Sequence, residues 1–349
     1  MDGRPSGKHR DCRVGAHGRL IHIFGGLALL RHAGTVEDGS ASTMTESNLA
    51  VRCRVCGSAS TGQWKARSLD RPLSPDDLRI TDARYGVTLG LWRCAQCGFI
   101  QANEVDLAEL TGLYEQISDP EYESGSTART LQMRWLLTRG LAAHPAAKTL
   151  LDIGAGSGLL VAEARVHGLN AMGVEPSRAL VEAARRQNHV EILQGTIPHP
   201  SLNGRRFDLV CLVDVIEHVA SPVGLLKDCA ALLSPGGILL VVTPDVSSLA
   251  ARVLGKRWWH FRLAHVGYFS RRSLTLAAHT AGLEAMTFFR AKWFFPIHYL
   301  AERLAVYLPL GALNRAASRF APLRRLYQQI IPLNPHDSMV CLLRPGKRT

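Results

Sequence analysis

The chain has 349 residues, of which 46% are hydrophobic, enough to bury a full α/β core and a smaller module. Its 41 basic and 29 acidic side chains give a net charge of +12, which is compatible with nucleic acid, membrane headgroups, a phosphorylated substrate or a basic surface without a partner. Eight cysteines are too few for a disulfide scaffold in a chain of this length, and no apolar run is long enough to span a membrane.

The first part of the chain differs from the rest because it is rich in glycine, arginine and histidine. Its apolar run at residues 20–30 is interrupted by His22 and two glycines, so it is too short and too polar for a span or a signal segment. The stretch that begins at Met44 resembles a natural translation start. Residues 1–45 are therefore predicted to be a disordered leader or an upstream mis-start.

Two C-x-x-C-G knuckles follow, formed by Cys53 with Cys56 and by Cys94 with Cys97. Each knuckle can direct two thiolates at one tetrahedral metal, and zinc is the natural ligand. The 37 residues between the pairs exceed the usual ribbon spacing of about 15 to 20, so we expect an excursion with strands near residues 85–92. The pattern predicts a zinc-ribbon lobe over residues 46–105, with the metal either folding the lobe or contributing to substrate binding.

A glycine turn joins an apolar strand to a helix at residues 150–167 and has the form D-x-G-x-G-x-G. The glycines let the backbone pass close to a ligand, and the helix N-terminus suits a carboxylate or phosphate. A dinucleotide fingerprint would need glycine where Leu159 stands. The next strand ends at Glu175, where a carboxylate can accept both hydroxyls of a ribose. These features indicate a site for a nucleoside ligand.

This loop resembles motif I of the class I S-adenosylmethionine-dependent methyltransferases. Further motifs at residues 207–210, 215–219 and 235–237 are similar to those of the ubiquinone-biosynthesis type, also described as methyltransferase-23-like, over about residues 127–290. The resemblance implies an S-adenosylmethionine-dependent methyltransferase enzyme with an α/β, Rossmann-like fold over residues 106–349. Its seven-stranded, mostly parallel sheet would have the order 3-2-1-4-5-7-6. The implied cofactor-binding residues are Asp152, Gly154, Gly156, Gly158, Glu175 and Asp214.

Two histidines are candidate catalytic residues. His218 follows the fourth predicted strand, where a neutral imidazole can take a hydroxyl proton from the acceptor, although it can also only cap the next helix. His265 resembles the histidine of an H-x-x-x-F-S/T motif in the substrate lid of related enzymes, or else hydrogen-bonds its own loop. Trp258 and Trp259 either wall an apolar pocket or pack internally. Tyr122, with Arg129, is a candidate for closing the cofactor side.

Residues 293–335 are predicted to be an amphipathic, basic helical insertion before the last strand. The insertion either caps a bulky or lipid-like acceptor at a membrane surface or packs as an extra helical pair on the sheet. Nucleic acid is disfavoured because no stripe of basic and aromatic residues is present. The loop after the fourth strand also lacks the Asn/Asp-Pro-Pro-aromatic signature of base and amide N-methyltransferases.

The favoured interpretation is a cytoplasmic enzyme that methylates a hydroxyl oxygen of a small molecule, with peripheral membrane contact as an option. One alternative is C-methylation of a nucleotide-linked sugar, because enzymes of that group resemble this chain in carrying an N-terminal zinc ribbon. Those enzymes have a large further C-terminal domain, whereas few residues follow the last predicted strand here. A second alternative is a non-catalytic, zinc-bearing interaction protein that senses S-adenosylmethionine. The sequence leaves the oligomeric state open.

Overall fold

The computed structural model describes residues 51–80, 84–103, 107, 110–119, 126–304 and 321–346. The predicted leader and Tyr122 lie outside the described residues. The described strands are β1 Thr61–Lys65, β2 Leu91–Cys94, β3 Ile100–Ala102, β4 Thr149–Ile153, β5 Asn170–Glu175, β6 Leu193–Gln194, β7 Phe207–Val213, β8 Leu233–Pro244, β9 Gly267–Tyr268, β10 Leu283–Arg290, β11 Trp293–Pro296, β12 Ile330–Leu333 and β13 Ser338–Pro345. The described α-helices are α1 Leu110–Glu115, α2 Ser126–Ala143, α3 Leu159–Val166, α4 Arg178–Asn188, α5 Pro222–Ala231, α6 Leu249–Leu254, α7 Arg271–Thr280, α8 Ile297–Leu304 and α9 Ala321–Tyr327.

The main sheet has seven strands in the order β10-β13-β8-β7-β4-β5-β6. Numbered along the chain within this sheet, the order is 3-2-1-4-5-7-6. β13 is antiparallel to both neighbours, whereas β4 to β8 pair in parallel. An α/β fold with a seven-stranded, mostly parallel sheet is therefore confirmed.

The central strands are apolar along their length because both faces of the sheet are covered. On β4, Leu150 packs into a core with residues of α2 and α3, whereas Leu151 packs into the opposite core with residues of α5 and α7. The alternation of side chains along a strand thus supplies two hydrophobic layers. The carboxyl ends of the parallel strands meet at one edge, where open α/β sheets bind their ligands.

Two strands of the main sheet are irregular. β6 contains only Leu193 and Gln194, because Val190 and Ile192 before it pack into the core that contains residues of α2 and α3. β8 begins at Leu233, includes the motif at 235–237, and contains a register shift against β7.

A second sheet joins the cysteine-bearing lobe to the rest of the chain. Its order is β1-β2-β3-β9, and β9 follows directly after the segment that contains His265 and Val266. The buried knuckle residues Cys53, Cys94 and Cys97 lie in the same core as Phe269. The lobe therefore shares both a sheet and a core with the predicted methyltransferase region, within a compact unit that spans Leu49–Thr349.

The insertion at 293–335 is not wholly helical, so that prediction is wrong in part. It begins with β11 and ends with β12, which pair antiparallel and flank the described helices α8 and α9. β11 contacts α2, where the Gln132 side chain donates to the Phe294 carbonyl at 3.1 Å. Across the described part of the chain, we find no helix with the length and apolar character required to cross a membrane.

Candidate active site

The glycine loop adopts a backbone conformation that requires its glycines. Gly154, Gly156 and Gly158 have φ angles of 73°, 54° and 75°, in the left-handed region that side chains disfavour. A Cβ atom at Gly154 would lie 2.5 Å from Cγ2 of Val215, and one at Gly158 would lie 2.5 Å from Cγ2 of Val190. The loop is therefore packed so closely that its shape depends on the absence of these side chains.

Glu175 closes the loop from the end of β5. Its Oε2 accepts from the Gly156 amide and its Oε1 accepts from the Ser177 amide, both at 2.9 Å. Burial raises the pKa of the Glu175 carboxyl, although the two backbone hydrogen bonds oppose this shift. The carboxylate thus lies beside backbone amides at the strand end where the sequence predicts ribose binding.

Asp152 is a buried acid near the end of β4, and the residue is only 4% exposed. Its carboxyl has no hydrogen-bond partner within the described ranges. Burial and the nearby Glu175 carboxylate raise the pKa of Asp152 to about 8. A buried acid without a partner, next to a glycine cradle, fits the ammonium group of S-adenosylmethionine, and Glu175 fits its ribose.

Asp214 lies at the same edge, directly after β7. Its backbone has a φ of 53°, and its amide donates to the Val242 carbonyl at 3.0 Å, while its side chain is exposed. Short polar side chains such as aspartate tolerate this left-handed conformation. Its predicted contact with the cofactor stays a prediction.

His218 ends a 3-10 turn, Ile216–His218, beyond β7. Its Nδ1 lies 2.8 Å from the Ala264 carbonyl and 2.6 Å from the Tyr114 hydroxyl. A carbonyl can only accept, so this contact assigns the proton to Nδ1 and a lone pair to Nε2. Burial and the Arg262 charge lower the pKa of His218 to about 3, which keeps the imidazole neutral.

His265 and Glu217 lie beside His218, and the two imidazole rings meet edge to face with centroids 4.8 Å apart. Glu217 accepts from the Thr243 hydroxyl at 2.9 Å through Oε2. Its Oε1 and the Nδ1 of His265 are buried without a hydrogen-bond partner among the described residues. Burial raises the pKa of Glu217 and lowers that of His265.

One ligand atom from each of Glu217, His218 and His265 lies within 4.8 Å of the other two. Such a set can receive a hydroxyl-bearing acceptor or a divalent cation. Glu217 was not among the predicted site residues, since the sequence allowed the Glu-His pair to be only a cap. Its position directly before His218 was the signal that could have identified it.

The wall of the site continues from His265 to a buried acid, Asp337. The His260 ring stacks on His265 with centroids 5.8 Å apart, and its Nε2 lies 3.0 Å from Oδ2 of Asp337. The same oxygen accepts from Nε1 of Trp259 at 2.7 Å. Although burial opposes the charge, hydrogen bonds from His260 and Trp259 lower the pKa of Asp337. Trp258 is fully buried in the core against Phe261, which agrees with internal packing.

The four knuckle cysteines converge on one point. Their sulfur atoms all lie within 4.8 Å of one another, and the Cys53–Cys97 and Cys56–Cys94 separations are 3.5 and 3.6 Å. Four thiolates around zinc at about 2.3 Å would be about 3.8 Å apart, close to these values. All four are free cysteines. The donor set fits a structural zinc ion.

Comparison with known proteins agrees with this geometry. The family described as a methyltransferase domain matches residues 127–287. The ubiquinone biosynthesis O-methyltransferase of Coxiella burnetii is 36% identical over 103 residues, which are 28% of this chain and 43% of that protein. The protein of the same name from Rhodopseudomonas palustris is 35% identical over 122 residues, covering 34% and 44%. The chain thus spans less than half the length of these curated relatives.

Two solved structures resemble the chain only distantly. A methyltransferase from Thermotoga maritima has 21% identity and a TM-score of 0.40, covering 64% of this chain and 91% of that one. The CcbJ methyltransferase of Streptomyces caelestis has 15% identity and a TM-score of 0.40, covering 68% and 96%. Residues 127–287 thus match a methyltransferase domain, and the glycine loop and the parallel strands of this region agree with that match.

Proposed function

We propose that the protein transfers a methyl group from S-adenosylmethionine to a hydroxyl oxygen of a small-molecule acceptor. The observation that carries this proposal is the placement of a neutral imidazole, His218, at the same sheet edge as the glycine loop. When bound, S-adenosylmethionine supplies a methyl group on a positively charged sulfur, which makes it an electrophile. The relatives named as O-methyltransferases support oxygen as the acceptor atom.

Each cofactor-side residue has a role that its surroundings support. The glycine loop admits the ligand close to the backbone, and Asp152 offers a carboxyl for the ammonium group. Glu175 can exchange its bond with the Gly156 amide for bonds from the ribose hydroxyls. Asp214, exposed at the same edge, is a further candidate contact.

Binding of S-adenosylmethionine at pH 7 is expected to release close to one proton. Because the pKa of Asp152 is about 8, this carboxyl is mostly protonated at pH 7 in the free protein. A bound cation favours the ionised form and lowers that pKa, so the proton leaves. Calorimetric titration in buffers of different ionisation enthalpy measures the proton count, and Asp152→Asn removes the release. Net proton uptake by the wild type would contradict this assignment.

His218 is suited to act as a base that takes the hydroxyl proton of the small molecule to be methylated. Its Nδ1–H points to the Ala264 carbonyl, which leaves the Nε2 lone pair for a hydroxyl proton. A base with a pKa of about 3 is weak, so it is better matched to a phenolic hydroxyl, with a pKa of about 10, than to a less acidic alcohol. The proposed acceptor is therefore a phenol-like small molecule.

Replacing His218 with asparagine is expected to lower kcat by about 100-fold, within the range of general-base contributions. The affinity for S-adenosylmethionine should change by less than about twofold, because His218 contacts the acceptor side. Transfer of labelled methyl from S-adenosylmethionine is measured over a panel of phenols, sugars and lipids. His279→Asn, an exposed position on α7, is the matched control. Equal rates in both variants would remove His218 from the mechanism.

The same assay separates the alternative functions. Label on oxygen is lost on ether-cleaving treatment, whereas label on carbon is retained and would support C-methylation of a nucleotide-linked sugar. Binding of S-adenosylmethionine without transfer to any acceptor of the panel would favour a sensing, zinc-bearing interaction protein.

We further propose that Cys53, Cys56, Cys94 and Cys97 hold a structural zinc ion. The convergence of four free thiols in a buried core supports this assignment.

A bulky or lipid-like acceptor, with contact to a membrane surface, also stays a proposal. It is supported by the exposed side chains of Leu304 and Leu326 in the insertion, which also carries the basic residues Arg324 and Arg325 on α9.

A further inference from the structure

Arg54 lies between the two cysteines of the first knuckle, and its side chain reaches the segments that carry both site histidines. Nη1 donates to the Ala220 carbonyl at 2.7 Å and to the Val219 carbonyl at 3.3 Å. Nη2 donates to the Val266 carbonyl at 2.5 Å. Val219 and Ala220 come directly after His218, and Val266 comes directly after His265. One guanidinium therefore connects the two segments.

The lobe holds Arg54 from its own side. The Arg54 amide donates to Oε1 of Gln101 at 2.8 Å, and Nε2 of Gln101 donates to the Arg52 carbonyl at 2.7 Å. The Arg54 guanidinium also lies 6.0 Å from the centre of the Phe99 ring, which is fully buried. The first knuckle and Gln101 thus hold the Arg54 backbone in place, and the Phe99 ring lies beside the guanidinium.

The two histidine segments also bond to each other and to the lobe. The Val266 amide donates to the Glu217 carbonyl at 2.9 Å, and the Val266 carbonyl accepts from the Ala102 amide at 2.9 Å. Val266 lies directly before β9, which pairs with β3 of the lobe. The Arg54 fork therefore completes a junction in which a shift of the knuckle moves both histidines.

We propose that Arg54 is a positioning residue that sets the separation of His218 and His265 in the acceptor half of the site. This inference rests on the proposed function, because that function assigns His218 to the acceptor, and His265 lies beside His218. The planar guanidinium can donate to carbonyls of two segments at once, whereas a lysine ammonium lacks this fork. Displacements of about 1 Å in a site can lower rates by about 100-fold, so the junction matters for catalysis beyond its contribution to folding.

Hydrogen exchange followed by mass spectrometry tests the junction on the zinc-loaded, full-length protein. In Arg54→Ala, peptides covering 216–221 and 264–268 are expected to exchange about tenfold faster, because the fork no longer holds them. The peptide covering the glycine loop at 150–158 and the zinc content should be unchanged. Arg54→Lys, which keeps the charge, should show an intermediate increase. Arg52→Ala is the matched control, since within the described part of the chain the Arg52 side chain donates only to the Gly57 carbonyl of its own knuckle.

A readout at the histidines separates positioning from a merely structural role. In ¹⁵N-histidine spectra, Arg54→Ala and Arg54→Lys should move the resonances of His218 and His265, assigned with His218→Asn and His265→Asn. Once an acceptor is known, kcat should fall at least about tenfold with an unchanged KM for S-adenosylmethionine.

The inference is overturned if both peptides and both histidine resonances of the Arg54 variants match the wild type. It is also overturned if exchange rises equally in the glycine loop and zinc is lost, since Arg54 would then only maintain the fold. Should Arg54→Ala fail to fold, Arg54→Lys decides between these results. Titration with S-adenosylmethionine is a separate test, because absence of binding in the wild type refutes the proposed function. The positioning role of Arg54 is decided instead by the exchange rates of the peptides at 216–221 and 264–268 in the variants.

Discussion

Glu175→Gln is expected to lower the affinity for S-adenosylmethionine by at least about 30-fold, or about 2 kcal/mol, the range of a hydrogen bond to a charged group. In the free protein both carboxylate oxygens of Glu175 accept backbone amides, from Gly156 and Ser177. An amide side chain has one oxygen and an NH₂ group, so it cannot accept both bonds. The substitution therefore leaves one acceptor oxygen where the proposed ribose contact uses a carboxylate, and it loosens the glycine loop in the same step.

Equilibrium titration of Glu175→Gln beside Glu182→Gln measures this effect. Glu182 lies on α4 of the same β-α unit, and its half-exposed carboxylate pairs with Arg178 at 3.1 Å. Neutralising it tests for a general effect of charge, and the affinity should stay within about twofold of the wild type, because exposed ion pairs contribute little. Equal losses in the two variants would show that Glu175 has no direct role at the ligand.

The second large effect is expected at the four knuckle cysteines, the proposed zinc site. Cys97→Ala should lower the free energy of unfolding by at least about 3 kcal/mol and reduce the zinc content, because metal binding to such a site is coupled to folding. The sulfur atoms lie in the core that also contains Phe99, Phe269 and Leu274. Loss of a zinc ion held there would therefore disturb the main body of the protein as well as the lobe.

Chemical denaturation with zinc analysis measures this result, and Cys229→Ala is the control. Cys229 is equally buried but lies on α5, outside the knuckles, so its replacement should cost only about 1 kcal/mol and leave zinc bound. If Cys97→Ala and Cys229→Ala were equally stable and the wild type bound no zinc, the four cysteines would be ordinary core residues.

The sheet and the conformation of the glycine loop could be predicted from the sequence because their signals are local. The glycine loop and Glu175 each lie at the end of an apolar strand, and the strand and helix alternation that positions them spans one continuous segment. Local patterns also made His218 a candidate, because it ends the short 3-10 turn that follows β7 near the carboxyl edge of the sheet.

The acceptor side could not be predicted in the same way because it is assembled from distant parts of the chain. Tyr114 contacts His218 across 104 residues, and the carbonyls bound by Arg54 lie 165 to 212 residues away from it. Pairing of β3 with β9 brings the lobe beside His265. Both β9 and β6 have only two residues, which is too short for a periodic sequence pattern that predicts a strand. Tertiary contacts, not propensity, determine these features.

Calorimetric titration of the zinc-loaded wild type with S-adenosylmethionine and with its demethylated product is the most direct test of the central claim. Saturable binding of one S-adenosylmethionine per chain is expected, with a dissociation constant on the order of micromolar, about −8 kcal/mol, and the product should bind at the same site. A folded protein that gives no binding heat with either compound, at several temperatures, would contradict the assignment of a methyltransferase site.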